Sequence, residues 1–163
     1  LIKLKEGNPN FLHPFIYLIV HTGCRRGEAM KLKWEDVDFE TRLIRFRQTK
    51  NGTTRQIRMS PRLYDFLRSR SKTSEFVLTD EKGLKVTRGK VQRRLDHIKK
   101  KLKFGKDWRC HDLRHSFAYN FLKRGGEMYQ LKAILGHKSI QMTVDLYGNL
   151  KAADIDDPSP YRF

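Results

Sequence analysis

The feature that most constrains this chain is a change of periodicity between Val37 and Met59, inside a sequence whose other apolar runs have helical spacing. The segment "VDFETRLIRFRQTKNGTTRQIRM" contains short runs rich in β-forming residues, separated by "ETR" and "KNGT". The Asn51-Gly52 pair is a strong signal for a tight hairpin turn. These residues predict a small three-stranded antiparallel sheet within a mainly α-helical, α+β domain.

Helix start and stop signals organise the remaining residues. Three apolar runs with helical spacing each end in glycine, at Gly23, Gly125 and Gly136, and each glycine predicts a helix end. Thr87 and Ser139 predict helix starts, because their hydroxyls can accept a hydrogen bond from the first turn. The helix after Thr87 combines one apolar stripe with an opposite basic face.

Composition indicates a folded domain with a polyanionic partner. The chain has 163 residues, and 38% of them are hydrophobic, which is enough for a core. Lys and Arg total 35 against 18 Asp and Glu, a formal charge of +17 that makes nucleic acid the leading partner. The longest apolar run, Phe15 to Val20, is too short for a membrane span, and we expect an intracellular, cytoplasmic protein. Cys24 and Cys110 are isolated and are expected to be reduced and structural.

Two motifs contain cationic groups suited to phosphate. "TGCRRGE" places Arg25 after a helix stop, where its guanidinium can project from a turn. "HDLRH" places His111 and Arg114 three residues apart on one helical face, with His115 four residues after His111. Taken singly, each also fits a structural role: a solvated arginine, or a capping or core histidine.

The "HDLRH" motif also allows a metal site, since two histidines at this spacing resemble the zinc-binding HExxH helix. Asp112 is one methylene shorter than the Glu of that motif, and Arg114 would place a permanent cation beside the ion. No third ligand is evident in the sequence. We therefore predict that the chain uses neither a metal nor another cofactor.

A third motif, "LGHKSIQMTVDLY", places His137 in a turn after a helix and Tyr147 near the end of the next helix. Taken alone, Tyr147 also fits a core tyrosine whose hydroxyl reaches the surface. Tyrosine ionises near pH 10, so as a nucleophile it needs its proton removed or its phenolate stabilised.

The three motifs in this order, TGxRxxE, HxLRH and LGHxSIxxT followed by Tyr, resemble the catalytic domain of tyrosine recombinases, the phage integrase family. The resemblance runs from Thr22 to Tyr147. It implies a site-specific DNA recombinase of a phage or mobile element. It also implies that catalysis depends on Arg25, Lys50, His111, Arg114, His137 and Tyr147.

The resemblance gives these residues distinct roles. The two arginines bind the non-bridging phosphate oxygens, Tyr147 attacks, and the product is a 3′-phosphotyrosyl protein with a free 5′-hydroxyl. His111 is the best candidate for the base, and His137 hydrogen-bonds the phosphate. Lys50 donates a proton to the leaving oxygen, although Arg47 and Arg55 are close enough in sequence to replace it. Glu28 supports the site.

The resemblance also implies partners beyond the site. The basic helix face, with Arg88, Lys90, Arg93 and Arg94, is expected to bind double-stranded DNA, mostly through phosphates. We expect a homotetramer on paired recombination sites, and a monomer for the isolated domain. Residues 1–7 are expected to be the remnant of a segment that follows an upstream DNA-clamping domain, and residues 154–163 a flexible or partner-docked tail. A type IB topoisomerase and a non-catalytic DNA-binding relative are the alternatives.

Overall fold

The structure is a computed structural model that describes residues 11–47 and 54–148. The described residues form seven α-helices: α1 (Leu12–Thr22), α2 (Arg26–Lys31), α3 (Pro61–Arg68), α4 (Arg88–Lys101), α5 (Asp112–Lys123), α6 (Met128–Leu135) and α7 (Gln141–Tyr147). They also form three strands: β1 (Val37–Asp38), β2 (Leu43–Arg47) and β3 (Thr54–Arg58). The predicted α+β, mainly α-helical fold is confirmed. Lys50, the Asn51-Gly52 turn and the two predicted terminal segments, 1–7 and 154–163, lie outside the described residues.

The strands pair antiparallel in the order β1-β2-β3, as the sequence predicted. Ile44 of β2 lies opposite Val37 on one side and Ile57 on the other, and all three side chains are buried. Phe46 lies opposite Arg55, whose guanidinium is 5.2 Å from the centre of the Phe46 ring. This register places Arg55 on the covered face of the sheet, because alternate residues of a strand share a face.

Helix α1 is the centre of the main core, because its apolar residues recur on several sides. Phe15, Leu18 and Ile19 are almost fully buried, and α1 packs against α2, α3, α4 and α5. A second, smaller cluster lies between α5, α6 and α7. It contains Ala118, Leu122, Leu131, Leu135 and Tyr147. No helix in the two described ranges is long and apolar enough to cross a membrane.

The glycine stops occur where the sequence predicted them. Gly23 and Gly136 follow α1 and α6 with φ of 64° and 65°, a left-handed conformation that glycine adopts without strain. The Thr87 hydroxyl accepts a hydrogen bond from the Lys90 amide and begins α4 as predicted. The last helix begins one residue later than a Ser139 cap would place it. The Ser139 hydroxyl accepts instead from the Gln141 amide at 3.1 Å, while Ile140 precedes the helix.

Candidate active site

Arg25 occupies the turn between α1 and α2, where the Gly23 stop redirects the chain. Its backbone amide donates to Glu28 at 2.7 Å, and its Nη1 donates to the same carboxylate at 3.1 Å. Its Nη2 donates to the Gly136 carbonyl at 3.1 Å, which connects this turn to the end of α6. The side chain remains 39% exposed, so an anion can still reach the guanidinium.

Glu28 is shared by two arginines. Arg55 donates through Nη1 and Nη2 to its two carboxylate oxygens, at 2.8 and 2.6 Å, and through Nε to the Ile134 carbonyl at 2.7 Å. Burial disfavours the charge on Glu28, but the hydrogen bonds and positive charge of Arg55 outweigh burial and lower its pKa. Glu28 is therefore ionised and joins α2 to β3 through Arg55, while it also accepts a hydrogen bond from Arg25.

Arg114 lies in the first turns of α5 and is only 2% exposed. Its two terminal nitrogens donate to the Gly23 and Leu135 carbonyls, both at 2.7 Å. Burial lowers its pKa to about 10, and the positive charges of Arg25 and Arg55 contribute, so the group stays cationic at neutral pH. Arg25 and Arg114 thus donate to the carbonyls of consecutive residues, Gly136 and Leu135. The two arginines therefore meet at the end of α6, and their shared binding of a phosphate stays a prediction.

His111 precedes α5 and shares a groove with Arg25 and Arg114. The groove has a volume of about 610 Å³ and lies between α2, α4 and the segment that leads into α5. Burial lowers the pKa of His111, and the neighbouring His115 and Arg114 contribute to the shift. The neutral imidazole is therefore favoured beside the two arginines.

His137 lies directly after the Gly136 stop, as the sequence predicted. Its Nδ1 is 2.9 Å from the hydroxyl oxygen of Thr143, a buried residue of α7. Burial lowers the pKa of His137 to about 4, and the positive charges of Arg114 and Arg25 add to this effect. The residue is therefore neutral at pH 7 unless an anion offsets the nearby positive charges.

Tyr147 is the last residue of α7 and is 8% exposed. Its hydroxyl oxygen lies 2.6 Å from Nδ1 of His115. Burial raises the pKa of Tyr147, and the charge of Arg114 opposes the rise. The contact of His115 with Tyr147 was not predicted from the sequence. The signal available was its position four residues after His111, on the same side of α5.

A family model described as the phage integrase family matches residues 8–153. The chain belongs to this family. It is 34% identical over 140 residues to tyrosine recombinase XerA of Saccharolobus solfataricus, covering 86% of this chain and 46% of that protein. The crystal structure of XerA recombinase is similar with a TM-score of 0.70 and 25% identity, over 89% of this chain and 56% of that one.

A further similar structure is that of the Tn1549 transposon integrase in complex with circular intermediate DNA. Its TM-score is 0.71 at 23% identity, over 85% of this chain and 56% of that one. The integrase-family chain spans about half the length of the curated relatives it matches. Its family and fold are therefore established, which confirms the resemblance drawn from the three motifs.

The two arginines considered as substitutes for Lys50 are both engaged by carboxylates in this integrase-family fold. Arg55 is bound by Glu28, and Arg47 donates through Nε to Asp36 at 2.8 Å and lies 3.4 Å from Glu35. Lys50 itself lies outside the described residues. Its role therefore remains a prediction from the sequence.

The four basic residues expected to form one DNA-binding face lie on two sides of α4. Lys90, Arg93 and Arg94 line a separate cavity of about 380 Å³. Within it, Lys90 is paired with Asp80, and Arg94 lies 3.2 Å from Glu81. Arg88 instead lies on the side of α4 that faces the groove beside Arg25, because it is one helical turn before Gln92. Asp96 and Lys99 line the groove from the same side. Whether these residues bind DNA remains a prediction.

No group of three or more His, Cys, Asp or Glu side chains in residues 11–47 and 54–148 is arranged to hold a metal ion.

Proposed function

We propose that this chain is the catalytic domain of a site-specific DNA recombinase, which cleaves and rejoins strands through a 3′-phosphotyrosyl intermediate. One observation carries the proposal. The Arg25 and Arg114 guanidinium groups donate to adjacent carbonyls, Gly136 and Leu135, beside a groove that His111 also lines. Two cations and an imidazole at one groove match the needs of a phosphate that gains charge during attack.

The charges around the groove support phosphate binding. Beside the groove, Arg25 and Arg55 bind the Glu28 carboxylate and Arg114 lies near it, so this cluster of three arginines and one carboxylate has an excess of two positive charges. A phosphodiester has one negative charge and approaches two in the transition state of attack. The excess therefore favours the transition state over the ground state, as catalysis requires.

In the proposed reaction, the Tyr147 oxygen bonds to phosphorus and the bond from phosphorus to the 5′-oxygen breaks. His137 hydrogen-bonds the phosphate, and Lys50 supplies the proton to the leaving oxygen, as the family resemblance implies. Because the phosphotyrosyl bond retains the energy of the broken bond, a 5′-hydroxyl can attack it and rejoin DNA without another energy source. Tyr147 belongs to the second core cluster, and its hydroxyl lies at Nδ1 of His115.

Double-stranded DNA is the proposed partner. The formal charge of +17 supports it, as does the similarity to a transposon integrase solved in complex with DNA. By the same resemblance we propose a homotetramer on paired sites, in the cytoplasm on host DNA. The full-length protein is proposed to carry an upstream DNA-clamping domain.

A nicked suicide DNA substrate tests the proposal, because cleavage releases a short oligonucleotide and traps the protein on the DNA. At low salt the chain should form a covalent adduct that survives denaturation, and Tyr147→Phe should abolish it. Tyr129→Phe is the matched control, since Tyr129 is 71% exposed, and should form the adduct normally. DNA binding without any adduct would overturn the proposal in favour of a non-catalytic relative. Relaxation of supercoiled DNA without joining two sites would favour a topoisomerase.

A further inference from the structure

We propose that His115 is an additional catalytic residue, whose Nδ1 takes the proton of the Tyr147 hydroxyl as the phenolic oxygen attacks phosphorus. This inference rests on the proposed strand-cleavage function. It reassigns to His115 the role of base that sequence analysis gave to His111.

The contact itself is direct and specific. The hydroxyl oxygen of Tyr147 and Nδ1 of His115 are 2.6 Å apart, within the range expected for proton transfer along a hydrogen bond. The two residues are 32 positions apart in the sequence and belong to α7 and α5. Among the described residues, the Tyr147 hydroxyl makes no other side-chain hydrogen bond. His115 is therefore the nearest described group able to accept the proton.

The position of His111 makes it a poorer acceptor. His111 is exposed at the groove, and its ring meets that of His115 edge to face, with 4.7 Å between the centres. The ring of His115 is in turn 5.7 Å from the Tyr147 ring. His115 thus packs against both Tyr147 and His111, whereas His111 lines the groove with the two arginines proposed to bind phosphate.

The environment of Tyr147 explains why a base is needed. Burial raises the pKa of its hydroxyl, and the charge of Arg114 only opposes this rise, so the neutral phenol prevails at pH 7. A neutral imidazole with its hydrogen on Nε2 accepts the hydroxyl hydrogen bond through the Nδ1 lone pair. Such an acceptor can become the imidazolium when the phenolic O–H bond breaks.

The proton balance is complete within the site. During cleavage the O–H bond of Tyr147 breaks, its proton moves to His115 Nδ1, the oxygen bonds to phosphorus, and the 5′-oxygen leaves. The leaving oxygen takes a separate proton, from the donor that the resemblance assigns to Lys50. In the rejoining step the 5′-hydroxyl loses its proton to that group, and the His115 imidazolium returns its proton to the departing phenolate.

The test is the rate of adduct formation with His115→Asn and His115→Ala. The Asn side-chain oxygen can accept a hydrogen bond from Tyr147 at a place comparable to Nδ1, but it cannot take the proton. His115→Asn therefore keeps the positioning of the Tyr147 hydroxyl and removes the base. We expect both variants to slow cleavage at pH 7 by about 100-fold or more. The deficit should shrink as pH rises and Tyr147 ionises without help, and added imidazole should partly restore His115→Ala.

A substrate with sulfur at the scissile 5′ position distinguishes a base from an acid. A thiolate leaves without taking a proton, so a variant that lacks the proton donor should cleave this substrate at a normal rate. A variant that lacks the base should still cleave it slowly. The deficit of both His115 variants should persist with it. Full recovery on the sulfur substrate, or wild-type cleavage of normal DNA by His115→Asn, would overturn the inference.

Two controls separate this inference from its foundation. Tyr129→Phe alters a tyrosine of α6 that is 71% exposed and should cleave at the wild-type rate. Adduct formation by the unmodified chain, together with full activity of His115→Asn, would overturn only the role of His115. Failure of the unmodified chain to form an adduct would overturn the proposed function and this role together.

Discussion

Arg55 and Glu28 form a two-pronged ion pair, with nitrogen to oxygen distances of 2.8 and 2.6 Å, that joins strand β3 to helix α2. Both side chains are nearly buried, at 10% and 11% exposure. The same carboxylate holds Arg25, so the orientation of a proposed phosphate-binding group depends on a residue of the sheet. Because Arg55 satisfies much of the charge of Glu28, Arg25 keeps positive charge available for an anion.

The change Arg55→Met tests this coupling. It leaves the Glu28 carboxylate with Arg25 as its counter-charge, so cleavage should slow by about 10-fold through weaker binding of the transition state. It also removes one partner of a nearly buried pair, which typically costs about 3 kcal/mol of the free energy of unfolding. Adduct kinetics and urea unfolding measure the two effects.

The double variant Arg55→Met with Glu28→Gln is the control for this pair. It removes both charges and should recover part of the stability lost in Arg55→Met, because the nearly buried carboxylate that lost its Arg55 partner is also removed. Glu28→Gln alone completes the comparison. If the losses in unfolding free energy of the two single variants add up to the loss in the double variant, Arg55 and Glu28 are not energetically coupled.

Local features of the site were predictable, and contacts between distant elements were not. Helix ends at Gly23 and Gly136 follow from a backbone conformation that glycine favours, and the sequence alone indicates them. The Arg55 contact with Glu28 joins residues 27 positions apart and depends on how β3 packs on α2. No local pattern encodes that packing.

The arrangement of the basic residues of α4 also depends on contacts that the sequence does not show. Arg88, Lys90, Arg93 and Arg94 are close in sequence, but helical spacing directs Arg88 to another side than the rest. The acidic partners of two of them, Asp80 and Glu81, come from the preceding loop and were not considered. Which of the four residues contact DNA stays a prediction.

Arg25→Ala and Arg114→Ala should affect the fold differently while both impair chemistry. Each removes a proposed charge partner of the transition state, so each should slow adduct formation by about 100-fold or more. Arg25 is partly exposed, and its loss should change unfolding little. Loss of Arg114 leaves two buried carbonyls without donors and should lower the free energy of unfolding by about 3 kcal/mol. Normal cleavage by either variant would refute its assigned role.

Gly23→Ala should destabilise the chain and disturb Arg114. Gly23 has φ of 64°, and an added Cβ would lie 2.5 Å from the Phe117 ring and 2.9 Å from Leu135. The strained backbone alone costs about 1 kcal/mol or more, and the close contacts add to it. Gly89→Ala is the matched control, because nothing lies within 4 Å of its added Cβ. Thermal unfolding should separate the two variants, and equal stability would show that the Gly23 turn tolerates a side chain.

Charge reversal on α4 tests which side contacts DNA. If DNA enters over the groove beside Arg25, then Arg88→Glu should weaken binding and reduce the salt slope by about one phosphate contact. Arg94→Glu should have less effect, because Arg94 lies near Glu81 on the other side. Binding isotherms at several salt concentrations measure both slopes. A larger effect for Arg94→Glu would place the DNA on the side that Lys90 and Arg93 share.

His137 predicts how stability depends on pH. Burial and the charges of Arg114, Arg25, His111 and Arg55 lower its folded pKa to about 4, against an ordinary value of 6.5. Between these values the unfolded chain binds a proton that the folded chain does not. The free energy of unfolding should therefore fall as pH decreases from 6.5 towards 4. Urea unfolding at a series of pH values measures the slope.

The matched variant His137→Gln isolates this contribution. Glutamine keeps a polar side chain near Thr143 but has no proton to gain, so the slope between pH 6.5 and 4 should be smaller than in the unmodified chain. Some slope should remain, because burial also lowers the pKa of His111 and of His21. An unchanged slope would mean that His137 has nearly the same proton affinity in the folded and the unfolded chain, and would contradict the prediction.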